Sequence, residues 1–72
     1  VPEGRFRLCP HDLLPGKTMI EYWRGGKFIA GIYPHQDGIR VVSKFLTGAN
    51  MEEEPAMHQG QWLPAAVIKL EV

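Results

Sequence analysis

The chain has a single cysteine, Cys9, in 72 residues. An internal disulfide is therefore excluded, and with it the bridged frameworks that hold many very small domains together. No apolar run approaches the roughly 18 residues that a membrane-spanning helix requires. The first residues also lack the apolar core of a signal peptide, so a soluble, cytoplasmic protein with no membrane partner is the expectation. Charge of one sign is missing too, because eight Lys and Arg stand against eight Asp and Glu. That balance argues against a uniformly basic nucleic-acid binder, and the ordinary apolar content argues against gross disorder. Repeats and low-complexity tracts are absent. Neither "RGGK" nor "GANMEEE" supplies the G-x-x-x-x-G-K-[ST] pattern of a phosphate-binding loop.

What is present is short. A domain of this length buries only about 60% of the surface its unfolded chain exposes, so its core is marginal. Small domains compensate with disulfides, a metal or a partner subunit. Zinc needs four ligands in paired spacings, and Cys9, His11, Asp12, His35 and His58 do not fall into them. No metal and no other cofactor is expected, which leaves a partner subunit. Catalytic use of Cys9 in "CPHD" would need a base brought close to the thiol. A lone cysteine beside a proline is more often a small apolar filler, so the protein reads as a non-enzyme without a catalytic residue.

Residues 1–17 hold three prolines and two glycines and read as an extended N-terminal arm with one short strand at Arg5–Leu8. Residues 18–72 read as a single small β domain. Thr18–Trp23 and Lys27–Tyr33 are rich in aromatic and β-branched residues. They are separated by Gly25-Gly26, which suits the positive φ angles of a type I′ turn. Pro34–Gly38 reads as a five-residue turn. Ile39–Phe45 follows as a third strand, although Ile39, Val42 and Phe45 also fit one helical face; Ile and two Val favour the strand. Residues 49–63 form an acidic loop ending at Trp62, which is expected to pack on the sheet edge. Pro64–Val72 is the last strand, with Ala66, Ile68, Leu70 and Val72 turned to the core. The fold class is all-β: a small antiparallel meander of about four strands, as an open sheet or a partly closed barrel.

Register assigns the faces, since side chains alternate with a period of two. Pairing Tyr22 with Ile29, Gly31 with Val41 and Tyr33 with Ile39 gathers Ile20, Tyr22, Ile29, Gly31, Tyr33, Ile39, Val41 and Phe45 on a core face. The other face collects Met19, Trp23, Phe28, Ala30, Ile32 and Val42, interrupted by Glu21, Arg40 and Lys44. It is too apolar for plain solvent, and part of it is within reach of the N-terminal arm or the Trp62 loop. A second subunit is the simplest cover. The main expectation is therefore a non-catalytic, self-associating or protein-interaction module, with a dimer favoured and Trp23, Phe28, Ile32 and Val42 as contact candidates. In the alternative, Trp23 and Phe28 stack on nucleic-acid bases while Arg24, Lys27, Arg40 and Lys44 meet phosphates. The bland reading of Trp23 and Phe28 is a cross-strand aromatic pair and nothing more. Charge is also divided along the chain. Residues 1–48 carry seven cations against four anions, or +3, and residues 49–72 carry one cation against four anions, or −3. The acidic run reads first as a solvated loop, and otherwise as a patch that meets the basic strands of a neighbour.

Overall fold

The computed structural model describes residues 3–11, 16–48, 51–52 and 55–71. Asp12, Glu53, Glu54 and Val72 lie outside them. The described residues form strands and turns, with no helix: β1 (Gly4–Pro10), β2 (Thr18–Arg24), β3 (Lys27–His35), β4 (Gly38–Val42), β5 (Ala56–His58), β6 (Gln61–Leu63) and β7 (Ala65–Lys69). Five of them build one antiparallel sheet in the order β1-β2-β3-β4-β7, and β5 and β6 pair as a separate hairpin. The sheet is open. The all-β antiparallel class matches the sequence reading, and the segment from 38 to 42 is a strand.

Local chemistry explains the connections. Gly25 and Gly26 take φ of 59° and 76°, the two positive values a type I′ turn demands, and Arg24 pairs with Lys27 and Trp23 with Phe28 as expected. Beyond that point the register departs from simple alternation. Tyr22 pairs with Ala30 rather than Ile29, so Ile29 is an extra residue in β3, which is a β-bulge. The buried Ser43 hydroxyl donates to the Ile29 carbonyl at 2.5 Å, so this group has a partner beside the interrupted ladder. The second turn is tighter than expected. His35 pairs with Gly38, Tyr33 with Arg40 and Gly31 with Val42. A Cβ at Gly38 would run into the Ile68 carbonyl, so glycine there lets β7 approach β4.

These two shifts decide what each face carries. Opposed residues share a face, so the inner face holds Met19, Glu21, Trp23, Phe28, Gly31, Tyr33, Arg40, Val42, Ala65 and Val67. The β5–β6 hairpin lies over this face and contributes Leu63 to a core with Val42 and Ala65, against which Phe28, Tyr33 and Ala56 pack. The core therefore forms on the face expected to be the contact surface. The segment expected to be a solvated loop is what covers it. The expected short strand at Arg5–Leu8 is a full edge strand paired along its length with β2. The inward set of the last strand is also corrected. Ala66 is buried as expected and Ala65 fully so, whereas Ile68 and Leu70 are exposed, because Val42 pairs with Ala65 and Ile39 with Ile68. Trp62 does not pack on the sheet edge; it is 65% exposed.

Candidate interaction surface

The outer face is built from the alternate residues of the same strands. Phe6 opposes Tyr22 and Leu8 opposes Ile20; Tyr22 opposes Ala30 and Ile20 opposes Ile32. Ile32 then opposes Val41 and Pro34 opposes Ile39, while Val41 opposes Ala66 and Ile39 opposes Ile68. From β1 to β7 these positions carry apolar side chains and one tyrosine. Phe6 is 72% exposed and Leu8 73%, and Ile20 and Ile68 are exposed as well. The rings of Phe6 and Tyr22 lie 5.3 Å apart at 47°. Gly4 admits the Tyr22 ring, which a Cβ at that position would strike. Contiguous apolar patches on the surface of a small protein are uncommon.

The inner face contains a polar cluster. Glu21 is 1% exposed and its Oε2 lies 2.7 Å from Nε2 of the equally buried His58. Gln59 Nε2 donates to the same oxygen at 3.1 Å, and Trp23 Nε1 donates to Oε1 at 3.1 Å. A buried carboxylate is tolerated when donors surround it in this way. The His58 ring stacks on Phe28, with centroids 4.6 Å apart and planes at 17°. It reaches this position over Gly31, where a Cβ would stand 3.0 Å from Met19 Cε and 3.1 Å from Val42 Cγ2. Gln59 has a φ of 47°, unusual for a residue with a side chain, in the turn that aims its amide at Glu21. The arrangement fastens the hairpin to the sheet. No group of three or more metal-ligating side chains occurs among the described residues.

Arg40 makes a second link, donating from Nη2 to Glu52 Oε1 at 2.9 Å, with its guanidinium 6.0 Å from the centre of the Tyr33 ring. Burial works against the Arg40 charge, but hydrogen bonding and attraction from Glu52, followed by Tyr33, outweigh it and raise its pKa. The Tyr33 hydroxyl is raised above the ordinary 10.0 chiefly by burial, which Arg40 only partly counteracts.

The residues singled out in the sequence thus separate. Trp23 and Phe28 do form a pair, edge to face with centroids 5.9 Å apart, but they sit on the inner face, and Phe28 is stacked on His58. Val42 is 0% exposed and is a core residue, not a contact residue. Ile32 alone of the four contact candidates lies on the outer face, because the bulge at Ile29 carries it there. Arg24 and Lys27 flank the tip of the first hairpin, Lys44 lies 5.2 Å from the Phe45 ring centre, and Arg40 is held by Glu52. Lys27 and Lys44 line one cleft with Phe28 and Phe45. Glu21 was legible only as a charge interrupting an apolar face; its partners come from 37 and 38 residues away, and no local pattern announces them. Among the described residues, no helix is long and apolar enough to cross a membrane. No family model, curated protein or solved structure matches the chain.

Proposed function

We propose that the protein is a non-catalytic protein-interaction module of the cytoplasm, and that its contact surface is the outer face of the five-stranded sheet. One observation carries this reading: one face of the sheet is covered by the β5–β6 hairpin, whereas the opposite face is apolar from Phe6 to Ile68, with Phe6, Leu8, Ile20 and Ile68 exposed and Ala66 alone buried among its paired positions. An apolar sheet face in water is unfavourable by about 25 cal/mol for each Å², and stable domains cover such faces with a second layer. The lone Cys9 fits a reducing compartment.

The test compares two substitutions in dilute solution. Ile32→Glu on the outer face is expected to retain the β-sheet circular dichroism spectrum and to reduce the binding of an apolar dye. Val42→Glu, in the core, is expected to abolish the spectrum. Equal loss of structure in both variants would contradict the reading, because it would make the outer face part of the chain's own core.

A further inference from the structure

We infer that the partner seated on the outer face is a second copy of this chain, packed sheet against sheet about a two-fold axis. The inference rests on the reading of that face as a contact surface. Charge supports it first. The centre of the face has no charged side chain, and Arg24 and Lys27 enter only at one corner, so nothing there selects a charged partner. The chain's formal net charge of zero sets up no repulsion between copies.

Size supports it second. Five strands about 4.8 Å apart, with same-face positions about 6.8 Å apart, make a flat footprint of roughly 350 Å². The relief of the side chains enlarges the accessible area, and two such faces together bury on the order of 1,000 Å², at the lower limit for a specific interface. Two identical faces meet isologously, as the aligned halves of a β-sandwich about 10 Å thick. Each copy thereby supplies the layer the other lacks.

The alternative assembly is edge to edge through β1. Its sequence opposes that. Antiparallel pairing of two β1 strands centred on Phe6 sets Arg5 directly against Arg7 of the second copy, a destabilising like-charge pair. The end of the strand is Pro10, which has no N–H to offer a neighbour. Charged side chains and proline are the usual means of blocking an open edge.

The experiment uses the full chain with Cys9→Ser and one introduced cysteine bearing a spin label. Sedimentation velocity over a wide dilution range gives the mass, and electron-electron dipolar spectroscopy gives label separations. The expected result is a dimer at high concentration in which Val41→Cys labels on the outer face lie within about 20 Å of each other. Arg7→Cys labels, on the face turned away from the interface, are then farther apart. Ala30→Cys reports the same face as Val41→Cys should that variant fold poorly. A dimer with Arg7→Cys labels close and Val41→Cys labels distant would overturn face packing in favour of the edge. A monomer at every concentration that still binds an apolar dye through this face would overturn the second copy as partner and leave the contact surface standing. Failure of the contact surface itself is read separately, from the spectrum of Ile32→Glu.

Discussion

Glu21 shows how much one side chain decides. Its carboxylate is the common acceptor for Trp23 and Gln59 and the partner of His58. Glu21→Ala leaves these groups without that partner in a buried site. The expected loss is about 3 kcal/mol, the range for breaking a buried pair from one side, read from the urea midpoint; a loss below about 1 kcal/mol would show that the cluster is not holding the hairpin. Gly31 is the complementary case. Gly31→Val presses on Met19 and Val42, and overpacking of this kind costs about 1–3 kcal/mol. Tyr33 sets a pH dependence. Burial raises its folded-state pKa above the unfolded value of 10.0, so the folded chain holds the proton more tightly. Its contribution to stability is fully present below about pH 10 and falls as pH rises through the folded-state value. Urea midpoints measured into the alkaline range should decline less in Tyr33→Phe than in the natural sequence.

At the level of elements, the sequence was readable where one dipeptide or one composition settles the backbone. Gly25-Gly26 places the first hairpin and its first two pairs, and the β-branched run at 39–42 places β4. It was unreadable at Ile29, because an isoleucine inside a run of apolar residues looks the same in a regular strand and in a bulge. That one residue transfers Ala30 and Ile32 to the opposite face. The shorter turn at Gln36–Asp37 then shifts the pairing again, which is why Val42 stays with Trp23 while Ile32 does not. The β5–β6 hairpin was hidden for another reason: its anchors are long-range side-chain contacts, with Glu21 and Phe28, rather than an apolar repeat of its own. Since β5 and β6 pair only with each other among the described residues, their amides should exchange with solvent faster than those of β2 and β3. Equal protection in native-state hydrogen exchange would mean that hairpin and sheet open as one unit. Trp62→Ala should change stability by no more than about 0.5 kcal/mol, the usual range for an exposed position.

For the whole molecule, the consequence is an asymmetry between two faces. The inner face has its layer in the hairpin, and among the described residues the outer face has none. A chain of 72 residues has little surplus stability, so leaving that face wet is a large fraction of what it has. The central expectation is that the outer face becomes covered when copies meet. The most direct test is hydroxyl-radical footprinting of the natural sequence across a dilution series. Phe6, Leu8 and Tyr22 should be protected at high concentration and become reactive on dilution, while the exposed inner-side Trp62 reacts equally throughout. Protection confined to Trp62, or reactivity at Phe6, Leu8 and Tyr22 that does not change with concentration, would contradict the account.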